Sequence, residues 1–195
     1  MNFLTVYEKI ISKKSVFFAG LLLFISCQLL FNMLFIPAFV KSSGGEGLID
    51  MKFLYNADQI IATIFKYSPE TFRIHFYIRI TDSFFPLSYM IMYSSAIYLL
   101  LHNIIRNGEF KIMNKFNWFY LLPVAAALSD YTENFFIISM MSSFPDISPL
   151  TASISGIIAF MKFSAVIICM IAIIILLIVK MFQFVSMKVF TAHRK

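Results

Sequence analysis

Along this chain apolar residues neither alternate with polar ones nor recur as a single helical stripe. They run on for twenty residues or more between short polar connections. Roughly 20 consecutive apolar residues match the hydrocarbon thickness of a bilayer as one helix. The runs at about 16–40, 84–105, 116–140 and 156–179 therefore predict four transmembrane helices packed as an all-α bundle. One long connection, 41–83, separates the first two runs. It opens on Ser42-Ser43-Gly44-Gly45 and carries a short helical pattern from Asn56 to Phe65. Ser68-Pro69-Glu70 then reads as a helix start, with a capping hydroxyl, a proline whose missing N–H is no loss in the first turn, and an acid at the positive end of the helix dipole. From there one helix is expected to run into the membrane, carrying Arg73, His75, Arg79 and Asp82 through the headgroup interface, with Pro86 kinking it. In the first run Gln28 and Asn32 stand i, i+4 and are expected to hydrogen-bond across a helix interface.

Composition agrees with a polytopic membrane protein. Of the 195 residues 60% are hydrophobic and 13% charged, with a mean hydropathy of +0.83, too little polar surface for a soluble domain. The net charge of +6 is no sign of nucleic-acid binding, because the basic residues flank the apolar runs. Lys9, Lys13 and Lys14 precede the first run, Arg106, Lys111 and Lys115 follow the second, and Lys180, Lys188, Arg194 and Lys195 close the chain. The connection after the third run has no Lys or Arg, and the five in 41–83 are diluted by five acids. The bias of basic residues toward the cytoplasm then places both termini inside and 41–83 outside, in what is expected to be a bacterial inner (plasma) membrane. The first run is longer than a signal-peptide core and lacks a small-residue cleavage site, so it is expected to stay. Cys27 and Cys169, mid-run and far apart, read as packing residues.

One stretch breaks the apolar logic. Leu128-Ser129-Asp130-Tyr131-Thr132-Glu133-Asn134 puts two carboxylates and an amide inside the third run, and a carboxylate at bilayer depth costs roughly 2.5–3.5 kcal/mol on insertion scales. Asp130, Glu133 and Asn134 at i, i+3, i+4 share a helix face, and Ala125-Ala126-Ala127 just before them let a neighbouring helix approach. With both termini inside, Glu133 lies roughly 15 Å from the outer end of its helix and Lys162 roughly 9 Å from the outer end of the next, so the lysine reaches the glutamate. Asp82 starts the second run on the same side, with Arg79 and Tyr89 on the same face. Arg79, Asp82, Tyr89, Asp130, Glu133, Asn134 and Lys162 are the candidate ligand-binding residues, and Asp130 and Glu133 the candidate catalytic ones. A Glu133–Lys162 pair that merely neutralises charge for insertion is the plain alternative. It leaves Asp130, Asn134, Arg79 and Asp82 unexplained.

The absences narrow the chemistry. The chain has no glycine-rich phosphate loop, Gly-x-Ser-x-Gly elbow, His-Glu-x-x-His or Cys/His cluster, and no metal or cofactor is expected. His75 and His102 stand roughly 40 Å apart on a continuous helix and cannot share a haem. Ser88 and Ser129 have no histidine at matching depth for serine–histidine catalysis.

Asp82-Ser83-Phe84-Phe85-Pro86-Leu87-Ser88-Tyr89, then Asp130-Tyr131-Thr132-Glu133-Asn134 and Lys162, resemble an uncharacterised family of small four-pass integral membrane proteins with Asp-x-x-Phe-Pro-x-x-Tyr and Asp-x-x-Glu-Asn motifs. The resemblance covers about 48–180 and implies an architecture and a shared polar site, without an activity. The layout is also similar to the four-helix sterol isomerase and sigma-2 receptor class, whose acidic residues line an intramembrane cavity, but the spacing carries over no residue. Three readings stay open: a cavity in the outer half of the bundle binding a membrane lipid or small amphiphile; an enzyme using Glu133 or Asp130 as general acid/base; and a carrier or structural subunit, for which so few spans imply a homo-oligomer or a partner chain.

Overall fold

The computed structural model describes residues 2–106, 116 and 118–192, without the side chains of 106 and 187–192. Lys111, Lys115, Arg194 and Lys195 lie outside the described residues, as does the side chain of Lys188. Among the described residues every regular element is helical.

A short amphipathic helix, α1 (Phe3–Ile11), leads through Ser12-Lys13 into a long rod, Lys14–Ser42. The rod is α2 (Lys14–Leu30), a π-helical turn (Phe31–Phe35) and α3 (Ile36–Ser42) without a break. The π turn lies just ahead of Pro37, whose missing N–H already interrupts the hydrogen-bond ladder. Gln28 and Asn32 do not reach across an interface: Asn32 Nδ2 donates to the Gln28 side-chain and backbone oxygens at 3.0 and 2.8 Å within the rod. A residue pair at i, i+4 satisfies itself when no neighbouring polar group comes within reach.

Residues 43–56 fold back over the bundle as irregular chain with one 3-10 turn, Ile49–Met51. Asn56 then opens α4 (Ala57–Phe65) with a complete capping box to Gln59, and Ser68 caps α5 (Pro69–Asp82), its hydroxyl accepting from Thr71 N–H at 3.1 Å. The kink expected at Pro86 is a local break within one helical stretch, Pro69–Ile105. A two-residue turn at Ser83-Phe84 separates α5 from α6 (Phe85–Arg106) and places Pro86 in the first turn of the new helix. α7 (Leu122–Ser142) and α8 (Pro149–Ala192) follow.

Among the described residues three helical stretches are long and apolar enough to cross a membrane: Lys14–Ser42, Pro69–Ile105 and Pro149–Ser186. α7 is not among them. It packs against α6 and α8, burying Ala126, Ala127, Asp130, Glu133, Asn134 and Ile137 along one face. Along α8 Ala152, Ser155, Gly156 and Ala159 are all buried and small, the kind of surface that lets another backbone come close where lipid offers no hydrophobic drive for association. Gly20 does the same between α2 and α6, where a Cβ would come 2.9 Å from the Met92 backbone nitrogen.

Apolar packing divides into a first core around Phe31, Phe39, Ile60, Ile64 and Ile78, a second around Ile11, Ile97, Leu101, Ile104 and Leu176, and a small third cluster of Tyr89, Ala126 and Ala127. Cys27 belongs to the first and Cys169 to the second, so the two free thiols do not meet.

Candidate functional site

Two buried cations organise the site. Lys162 on α8 extends Nζ to Glu133 Oε2 at 2.5 Å, to Asp130 Oδ1 at 3.5 Å and to the backbone oxygen of Asp50 at 3.0 Å. Arg79, near the end of α5, spreads its guanidinium between Asp50 Oδ2 at 2.6 Å, Asp82 Oδ2 at 3.2 Å and Asn134 Oδ1. Asn134 Nδ2 in turn donates to Asp82 Oδ2 at 2.7 Å. Arginine only donates and a carboxylate only accepts, so this triangle admits one orientation of the Asn134 amide. Tyr89 on α6 donates to Asp130 Oδ2 at 3.1 Å.

All seven residues named from the sequence thus come together. Three on α7 follow from helical spacing, and the pairing of Glu133 with Lys162 follows from matched depth.

Two residues of the site were not named from the sequence, and both lie on the 43–56 segment. Asp50 binds Arg79 through its side chain and Lys162 through its backbone oxygen, and so ties the two cations together. Burial alone would push the Asp50 carboxyl up, but Arg79 and Lys162 outweigh it and hold it down at about 2. Tyr55 donates to Glu133 Oε1 at 3.1 Å and stands 2.7 Å from Ser155 Oγ. The phenol's one hydrogen is donated to the carboxylate, so Ser155 must donate to the phenol oxygen. Burial, and then Glu133, push the Tyr55 hydroxyl well above its ordinary range, so it stays a donor. A signal for Tyr55 did exist: Gly156 on α8, where an added Cβ would come 2.3 Å from the Tyr55 backbone oxygen, marks a surface reserved for close backbone approach.

Beside these groups lies a cavity of about 300 Å³ between the α2–α3 rod and α8, floored by α6. Asp50, Asp82, Asp130 and Lys162 form its polar wall, and Phe24, Phe31, Phe85, Tyr89, Tyr93 and Phe163 its aromatic wall. Exposed Asn32 and Met51 stand at its mouth. Arg79, Glu133 and Asn134 are not on its surface; from behind, Arg79 and Asn134 hold the Asp82 carboxylate and Glu133 holds the Lys162 ammonium. Ser88 and Ser129 spend their hydroxyls on backbone oxygens one turn back, Phe85 at 2.6 Å and Ala125 at 3.0 Å.

The arrangement can hold a molecule with a polar end against three carboxylates and a lysine and an apolar body against aromatic rings. No family model, curated protein or solved structure matches the chain.

Proposed function

We propose that the chain crosses a bacterial inner membrane four times with both termini cytoplasmic, and that the cavity in the outer half of the bundle binds a membrane lipid or small amphiphile. α7 supports the fourth crossing despite its lower hydropathy. Its 21 residues put the polar groups on the face buried against α6 and α8 and leave Leu128, Phe135 and Ile138 exposed on the other. Single cysteines at exposed Ser12 and Leu150 test this. Four crossings predict labelling from opposite sides of the membrane, and three predict the same side.

The observation that carries the binding reading is the cavity itself, in which buried charge and aromatic rings share a space of about 300 Å³, the lower end of the range for small-molecule sites. Native mass spectrometry of gently solubilised protein should show a retained lipid-sized adduct, lost when Val166 on the wall is replaced by Trp. A retained protein chain in its place would turn the reading to a structural subunit. A second reading, a membrane-embedded enzyme, is favoured by one observation. The Asp130 carboxylate reaches the cavity beside the Tyr89 hydroxyl, a usable acid/base pair, whereas Glu133 is fully buried away from it. Recovery of a chemically altered ligand would favour that reading.

A further inference from the structure

We infer that the amphiphile carries a cationic head, an amine or quaternary ammonium on an apolar chain; this rests on the binding reading and names its ligand class. The buried constellation holds Asp50, Asp82, Asp130 and Glu133 against only Arg79 and Lys162, four carboxylates for two cations. His75 is fully buried beside Phe39 and Tyr67, and among the described residues it forms no ion pair and neither ring nitrogen has a hydrogen-bond partner. The imbalance is not spread evenly. Arg79 is withdrawn from the cavity, so the surface itself presents three aspartates and one lysine.

The remaining acceptor capacity also belongs to carboxylates that line the cavity. Asp82, whose side chain is 8% exposed, uses Oδ2 for both Arg79 and Asn134, and its Oδ1 has no partner among the described residues. Asp130 gives Oδ2 to Tyr89 and leaves Oδ1 only the 3.5 Å approach of Lys162, an ammonium that bonds Glu133 far more closely. Two under-used carboxylate oxygens on a wall rimmed by phenyl and phenol rings are what an ammonium requires, since ring faces attract cations and carboxylates accept their N–H donors. An anionic head would meet those same oxygens with Lys162 as its one wall cation. Among the described residues no group of three or more His, Cys, Asp or Glu is placed to hold a metal ion, which favours an organic cation.

The test uses the full chain in a neutral maltoside detergent and three probes of one chain length: dodecyltrimethylammonium, dodecanoate and dodecanol. Thermal-shift titration should show saturable binding of the ammonium at least tenfold tighter than of the other two, with Asp82→Asn weakening it tenfold or more. Val166→Trp fills the apolar side without touching an ion pair and should abolish binding, which covers the case in which Asp82→Asn does not fold. Dodecanol binding as tightly as the ammonium would mean that protons neutralise the surplus carboxylates, and dodecanoate binding more tightly would reverse the sign of the head; either overturns this inference and leaves amphiphile binding intact. Failure of all three probes to bind in a Val166-dependent way would overturn both.

Discussion

The Tyr55 backbone oxygen lies where a side chain on Gly156 would begin: a Cβ there would approach it to 2.3 Å, while the same tyrosine's hydroxyl stands 2.7 Å from Ser155. Neighbouring positions on α8 thus seat both ends of one loop residue, and that seat brings the 43–56 segment over the site.

Gly156→Ala is accordingly expected to act at a distance. The methyl must push the Tyr55 backbone away, overpacking of a kind that costs about 1–3 kcal/mol, and it loosens the Tyr55–Glu133 bond with it. Thermal melting should fall and the retained ligand should be lost together. Gly47→Ala, in the same segment but with no atom within 4 Å of the added Cβ, should leave both unchanged.

Glu133 and Lys162 should prove strongly coupled. Glu133→Gln or Lys162→Met alone leaves an uncompensated buried charge at about 3–5 kcal/mol, and the double variant should recover much of that in a thermal-stability cycle. Additive losses would show that the 2.5 Å ion pair contributes nothing. Lys162→Met should be the worse single change, because it also removes the cation facing Asp130.

Asp50 makes a prediction about acid. Arg79 and Lys162 hold its carboxyl at about 2, below the roughly 3.9 of an unfolded aspartate. A depressed folded value means that the stability is fully present above about pH 4 and is lost as pH falls through about 2. Asp50→Asn should therefore destabilise by about 2–3 kcal/mol near neutrality, with the gap to the unmodified chain closing between pH 4 and 2. A gap independent of pH would show that the carboxylate charge is not what holds the loop.

Asp130→Asn separates site from scaffold. The amide oxygen still accepts from Tyr89, and Lys162 keeps Glu133, so melting should hold steady or rise as one surplus buried charge disappears, while ligand retention is lost. A structural carboxylate would give the reverse, a loss of roughly 1–3 kcal/mol with ligand occupancy unchanged.

Helical spacing and end chemistry were legible in the sequence because both are local. Three-residue and four-residue steps put Asp130, Glu133 and Asn134 on one face, and Ser68-Pro69 could only begin a helix. Matched depth on adjoining helices was enough to pair Glu133 with Lys162. Local rules stop where the chain leaves the helix. Asp50 and Tyr55 sit in a segment with no period to read, and their partners lie 29 and 78 residues away on α5 and α7, brought near only by tertiary packing. Gln28 and Asn32 showed the same boundary from the other side: their spacing foretold a bond, but whether it joined two helices or stayed within one depended on what stood opposite. The sequence by itself determined a membrane-scale helical chain with a polar face too costly to be idle. Only tertiary packing decided that Arg79 turns away from the cavity while Asp82 and Asp130 line it, because long-range contacts choose which of several equally available carboxylates each cation faces.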